Sequence, residues 1–306
     1  MWFIINATNK CNLNCKTCLR SKYGAEDVDP ELLRSIIPKL RTLNYSGISI
    51  TGGEPIMHPK FSELVKIIIS EGFHLGVVSN GILYKEYIKI LEPYKERVFF
   101  AAISLDSHKK EINDYIRGKG SFESAIKAIR EFKKRGFFVK VSHVVNKKNL
   151  KDLEHFVDFA LNLGADVVNV LGTIKTPENM DLVLDEKEKK DFHEKLRFLE
   201  FIYEKKVFYV TSTGYFNKPI FCDNFNNMND LTLDFMGNLI FCCDTIHRGA
   251  VLGNLKKEKF EKLIDKCLKT QSILKAARIK AVMNHKSRET NDCDFCNRIL
   301  KKMIKD

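Results

Sequence analysis

With 306 residues, 44% of them apolar and 29% charged, the chain has the composition of a folded globular protein, with room for one large domain and a smaller one. No apolar run approaches the length of a membrane span, and residues 2–5 are too short for a signal-peptide core, which excludes a helical membrane protein and a secreted one. The net charge of +12 reads first as a solvated, ion-paired surface, because Lys and Glu interleave, and second as a basic face for an acidic electron donor, an acidic peptide or RNA.

No run of arginines with interleaved aromatics marks an RNA platform, so nucleic acid is not an expected partner. Nine cysteines without an export signal place the chain in the cytoplasm and point to metal or redox work rather than disulfides. Trp2-Phe3-Ile4-Ile5 reads as a first strand, and the loop after it carries Cys11, Cys15 and Cys18, spaced C-x3-C-x2-C with no fourth cysteine nearby. Thiolates are the usual ligands of iron–sulfur clusters. Three of them leave one iron of a 4Fe-4S cluster open, and an open position is where a metal site does chemistry. A zinc knuckle or a scatter of buried thiols is the competing reading, and zinc fits poorly without a fourth ligand.

Asp29 and Pro30 open a helix with Leu32, Leu33, Ile36, Ile37 and Leu40 at helical spacing. The second strand, 47–50, runs straight into Thr51-Gly52-Gly53-Glu54-Pro55, and glycines at a strand end let backbone approach a ligand closely. Helices over 59–71, 84–94, 121–135 and 150–163 then alternate with strands over 74–78, 98–104, 137–145 and 166–171, and a long charged helix spans 185–206. This pattern predicts a parallel sheet with covered faces, whose ligands gather at the C-terminal strand ends. Ser79-Asn80-Gly81 and Leu105-Asp106 fall at such ends, as do the cysteine loop and the Gly-Gly turn.

The cysteine loop after the first strand and Gly-Gly-Glu-Pro after the second together resemble the radical S-adenosylmethionine (radical SAM) enzymes. The resemblance implies an α/β fold with a partial (β/α)6 barrel over 1–207. It implies that Cys11, Cys15 and Cys18 hold a 4Fe-4S cluster whose open iron chelates S-adenosylmethionine. An electron from the cluster would split SAM to a 5′-deoxyadenosyl radical that takes a hydrogen atom from the substrate. The strand end at Gly52, Gly53 and Glu54 would receive the amino group of SAM, and Ser142 would bond its methionyl carboxylate. Ser104 and Asp106 would meet the ribose or the substrate, and Arg117 matches the Arg-Gly that relatives carry. Each of these polar residues, taken alone, is as readily a solvated or backbone-bonded side chain. Thr17 departs from the family, which usually has an aromatic residue there near the adenine. His143 reads as a core residue.

Past 208 the cysteines return, with short strands over 231–234 and 239–242 joined by Met236-Gly237-Asn238. Cys222, Cys242, Cys293 and Cys296, spaced C-x19-C-x50-C-x2-C, resemble the ligands of the twitch, or shortened SPASM, domain. This implies a small cysteine-rich α+β domain over 208–306 with an auxiliary 4Fe-4S cluster; a structural zinc ribbon is the alternative. Cys267 shares the apolar stripe of a helix and reads as core. Neighbours on a strand face opposite ways, so if Cys242 faces the cluster, Cys243 faces away, where a thiol could donate a hydrogen atom as in the peptide epimerases of the superfamily; a buried thiol, or an exchange of ligand role with Cys242, are the alternatives. The chain is therefore expected to modify a peptide or protein by cross-linking, epimerisation or oxidation, with flavodoxin or ferredoxin as reductant. Radical chemistry on a small polar metabolite, or a non-catalytic iron–sulfur or RNA-binding protein, are the alternatives.

Overall fold

The computed structural model describes residues 1–19, 26–209, 228, 230–242, 251–283, 295–296 and 298–300. Strand β1 (Trp2–Thr8) leads through the cysteine loop to helix α1 (Pro30–Leu40), where the Asp29 side chain accepts from Glu31 N at 3.1 Å as the expected cap. There follow β2 (Gly47–Gly52), α2 (Phe61–Ser70), β3 (His74–Ser79), α3 (Tyr84–Leu91) and β4 (Val98–Ser104). Next come α4 (Lys110–Arg117), α5 (Ser121–Lys134), β5 (Val139–Val145), α6 (Leu153–Asn162), β6 (Val167–Gly172) and α7 (Glu186–Ile202).

All six expected strands are present, in the order β1-β2-β3-β4-β5-β6 and parallel throughout. A short seventh, β7 (Val207–Tyr209), adds to β6 in parallel beyond the charged helix. Its three residues are too few to carry a pattern. Helix α4 was likewise not foreseen, because its eight residues are mostly polar.

The period of two along the strands separates two faces. Phe3, Ile5 and Ala7 on β1, Ile48 and Ile50 on β2, Val139 and Val141 on β5, and Val168 and Val170 on β6 are fully buried under the helices. The residues between them form the other face, which is largely half-buried and holds Ile4, Thr51, Ser104, Lys140, Ser142 and Asn169. At the N-terminal strand ends this face is floored by rings. That of Phe100 lies across Gly76, where a Cβ would stand 2.2 Å from a ring carbon, and the Trp2 ring sits 5.2 Å from it.

The tail joins the same sheet. Strand β8 (Thr232–Leu233) pairs in parallel with β1, placing Leu233 opposite Ile5. Strand β9 (Asn238–Ile240) forms the expected hairpin with β8, turning at Gly237 with φ +89°, and β10 (Val251–Asn254) runs antiparallel to β9. Tyr45 fastens the approach to β8 by donating to Met228 O at 2.6 Å. Helix α8 (Phe260–Met283) buries Phe260, Leu263, Ile264, Cys267 and Leu274, so Cys267 is a core residue as expected. Strand β9 stops at Ile240, two residues before Cys242, so strand alternation does not set the facing of Cys242 against Cys243. Among the described residues no helix is long and apolar enough to cross a membrane.

Leu233 is fully buried at the joint between tail and barrel. Leu233→Ala is expected to cost roughly 2–5 kcal/mol in a urea titration; a loss below about 1 kcal/mol would mean that the tail strands are not part of the cooperative core.

Candidate active site

The cysteine loop leaves β1 and returns to α1 through a clasp. Asn9 N donates to Glu26 O at 3.1 Å and Val28 N to Ala7 O at 2.8 Å. Side chains reinforce this pairing: Thr8 Oγ1 donates to Asp27 Oδ1 at 2.6 Å, and Lys10 Nζ meets Asp27 Oδ2 at 2.5 Å. The end of β2 runs against the same root. Gly53 N donates to Thr8 O at 2.7 Å and Glu54 N to Lys10 O at 2.8 Å. A Cβ on Gly53 would stand 2.2 Å from Lys10 O, so only glycine permits this approach.

Glu54 turns inward and is 1% exposed. Its Oε1 accepts from Ser79 Oγ at 2.9 Å and from the Tyr87 hydroxyl, and its Oε2 accepts from Asn80 N at 2.8 Å. Burial raises its pKa, and the three donors work against that rise. The side chain thus braces β2 against β3 and α3. The Glu54 carboxylate is thus occupied by protein donors, and the strand end beside it offers backbone. Asn80 instead reaches the loop, donating from Nδ2 to Asn12 Oδ1 at 2.7 Å and approaching Cys11 Sγ at 3.9 Å.

Asp106 is fully buried and also faces inward. Its Oδ1 accepts from Val144 N on β5 at 2.7 Å. Its Oδ2 lies 2.7 Å from Arg117 Nε, a contact made by charge rather than by an aligned hydrogen bond. Both oxygens of Asp106, expected at the ribose or substrate, thus have partners within the protein. Arg117, at the end of α4, presents its carbonyl to Cys15 Sγ at 3.5 Å, and the neighbouring Ile116 O accepts from Lys16 N at 2.8 Å. The middle of the cysteine loop is thereby docked on the last turn of α4, whose free carbonyls are natural acceptors.

Ser104 and Ser142 are register partners on β4 and β5, with Asn169 beside Ser142 on β6, all half-buried on the face turned from the helices. Two residues before Ser142, Lys140 Nζ lies 4.1 Å from the Phe100 ring centroid, with its pKa lowered by burial and no carboxylate in ion-pair reach among the described residues. His143 points the opposite way, fully buried, stacked on Phe156 at 3.9 Å and donating from Nδ1 to Leu105 O at 3.3 Å.

Cys11 is exposed, while Cys15 and Cys18 are half-buried. Burial raises the Cys15 thiol to about 12, against the pull of Arg117, and burial also raises Cys11. Among the described residues no three His, Cys, Asp or Glu side chains converge on one ion. A 4Fe-4S cluster asks for less, since each thiolate ligates its own iron. Three soft thiols that sense one another's charge, with an arginine beside them, fit that group. In the tail, Cys242 and Cys296 are both buried, and the Phe295 ring lies 5.2 Å from the Arg278 guanidinium of α8. Cys222, Cys243 and Cys293 lie outside the described residues.

A parallel, helix-covered sheet with three thiols docked at its C-terminal strand ends defines a class of cluster-dependent α/β proteins. Residues 5–160 match the sequence model of the Radical SAM superfamily, and the chain belongs to that family. Its members are enzymes whose cofactors are SAM and a 4Fe-4S cluster. The subtilosin biosynthesis protein AlbA of Bacillus subtilis is 34% identical over 119 residues, which is 38% of this chain and 26% of the relative. The tungsten-containing aldehyde ferredoxin oxidoreductase cofactor-modifying protein of Pyrococcus furiosus is 30% identical over 200 residues, 60% of this chain and 55% of the relative. The chain thus spans about a quarter to a half of the length of these relatives. Among solved structures, Streptococcus suis SuiB bound to precursor peptide SuiA superposes with a TM-score of 0.68 at 16% identity, covering 85% of this chain and 63% of that one.

Two measurements check the buried groups. Tyr87 serves Glu54 and also accepts from Ile56 N at 3.0 Å, so Tyr87→Phe is expected to lower stability by about 1–3 kcal/mol; an unchanged urea midpoint would refute the brace. Burial holds His143 at a pKa of about 4, against 6.5 when unfolded, so the unfolded chain binds the extra proton as pH falls through that window. Stability is therefore present above pH 6.5 and lost toward pH 4. The share from His143 between pH 7 and 5 is roughly 2 kcal/mol, and His143→Leu is expected to lose less over that interval than the parent chain.

Proposed function

We propose that the chain cleaves SAM reductively and abstracts a hydrogen atom from a peptide or protein, modifying it by cross-linking, epimerisation or oxidation. The observation that carries this is the docked loop of Cys11, Cys15 and Cys18: its root at Thr8 and Lys10 accepts from Gly53 N and Glu54 N, and its middle rests on the end of α4. When bound there, the cluster would supply the electron that breaks the sulfur–carbon bond of SAM. This chain's residues would do the rest. Gly52 and Gly53 leave backbone at the mouth for the amino group, Ser142 is placed for the carboxylate, and Ser104 beside it for ribose or substrate. Arg117 would hold Cys15 in place and balance the charge of its thiolate.

A peptide substrate is supported by the printed roles of relatives, a bacteriocin biosynthesis protein and a protein that binds a precursor peptide. The Pyrococcus furiosus relative favours a second reading, radical chemistry on a small cofactor-like molecule. We place the chain in the cytoplasm, where its nine cysteines stay reduced, with an acidic flavodoxin or ferredoxin as donor. Cys222, Cys242, Cys293 and Cys296 would hold an auxiliary 4Fe-4S cluster, supported by their spacing and by the burial of Cys242 and Cys296. Cys243 is retained as a candidate hydrogen-atom donor on its adjacency to Cys242 alone.

Anaerobic reconstitution followed by SAM and dithionite tests this reading. About eight irons per chain, for two clusters of four, and formation of 5′-deoxyadenosine are expected. Cys15→Ala is expected to abolish deoxyadenosine formation and to leave the auxiliary irons in place. Retained cleavage would overturn the catalytic assignment, and about four irons with cleavage in the parent chain would remove the auxiliary cluster.

A further inference from the structure

Beside the cysteine loop, on the outer side of the strand-end rim, the Tyr115 ring of α4 stands 45% exposed. Lys16 Nζ lies 4.8 Å and Lys148 Nζ 5.6 Å from its centroid, so two ammonium groups share one ring within cation–π range. They come from different segments: Lys16 from the cysteine loop, Lys148 from the loop after β5. Both are exposed, and neither has a carboxylate in ion-pair reach among the described residues. Two lysines of α4 and its N-terminal cap are neutralised instead. Lys109 meets Asp152 at 2.7 Å, and Lys110 is held by Glu123. Lys16 and Lys148 are thus two uncompensated positive charges converging on a rigid, exposed aromatic ring.

The ring is also mechanically coupled to the thiols. Lys16 follows Cys15 directly, its N–H is bonded to Ile116 O at 2.8 Å, and Cys15 Sγ rests on Arg117 O at 3.5 Å. A partner seated on Tyr115 therefore lies one residue from a cluster ligand. An aromatic anchor with like charges around it is the anatomy of a docking face for a surface of opposite charge. We propose that Lys16, Tyr115 and Lys148 form the docking face for an acidic one-electron carrier protein, seated next to Cys15. The carrier gives up one electron per docking, to the iron–sulfur group that the loop would hold, and no atom passes between the proteins. The proposal rests on the radical SAM reading above and adds to it the place where the donor sits.

The test compares the full chain with a Lys16→Glu, Lys148→Glu double variant and with Tyr115→Ala. Reduced flavodoxin and dithionite are the two reductants, and deoxyadenosine is the product. With dithionite, all three proteins are expected to cleave SAM at one rate. With flavodoxin, the double variant is expected to show a KM at least about tenfold higher at low salt, because charge reversal at a docking face acts on encounter. That difference shrinks at about 0.5 M salt, where such charges are screened, and Tyr115→Ala weakens the carrier-driven rate less. Binding of oxidised flavodoxin to the chain without iron, read as a Kd, is expected to weaken in parallel. Equal KM and Kd in parent and double variant would overturn the proposal. So would an equal loss with dithionite, which would assign these lysines to the cofactor or to an acidic peptide instead. If the parent chain forms no deoxyadenosine with either reductant, the radical SAM reading has failed, and the Kd comparison still decides the docking face.

Discussion

One buried carboxylate ties the working end of the barrel together. Asp106 is out of water, takes the Val144 N–H of β5 on one oxygen and the Arg117 guanidinium on the other. Arg117 ends α4, and its carbonyl receives the thiol of Cys15. Two strands, a helix and the cysteine loop thus depend on a single charge pair. Breaking such a pair from one side leaves an uncompensated buried charge, which is far more costly than never having formed it. Glu54 plays the matching part under the other flank of the loop, collecting donors from β3 and α3. Among its described residues the loop holds no helix or strand, and these two carboxylates brace the elements beneath it.

Much of this was legible in the sequence, and the gaps have physical causes. Six of the strands read clearly because the face under the helices needs a run of apolar residues, and their bounds stand within three residues of those expected, β4 over 98–104 matching at both ends. The nearness of the three loop cysteines was legible because a spacing within eight residues needs no tertiary information. The inward facing of Glu54 and Asp106 was not legible because strand alternation ends with the strand. β4 closes at Ser104, so the facing of Asp106 is decided by the turn after it, not by a period of two. Their true partners, Tyr87, Arg117 and Val144, lie 11 to 38 residues from them in sequence. Tyr115 and its lysines were invisible for the same reason.

The tail is less of a separate body than its composition suggests. Its parallel pairing with β1 continues the barrel sheet past its first strand, and the hairpin of β8 and β9 carries Cys242 just beyond its end. Cys242 and Cys296 are both buried in the tail, and Phe295 next to Cys296 lies against Arg278 of α8. A second cluster held there would be registered to the barrel through main-chain hydrogen bonds rather than through a linker.

The clasp of Thr8, Lys10 and Asp27 bears on how such a protein is supplied with iron. In small metal-bound domains the ion must meet the cost of ordering the whole chain, and losing it means unfolding. Here the barrel already closes the loop, through Asn9 to Glu26 and Ala7 to Val28, with protein atoms alone. Loss of a cluster to oxygen would thus leave the root of its loop still fastened, ready to be refilled. Damage and repair become a local exchange of inorganic parts on a lasting scaffold, and turnover of the cluster is uncoupled from turnover of the chain.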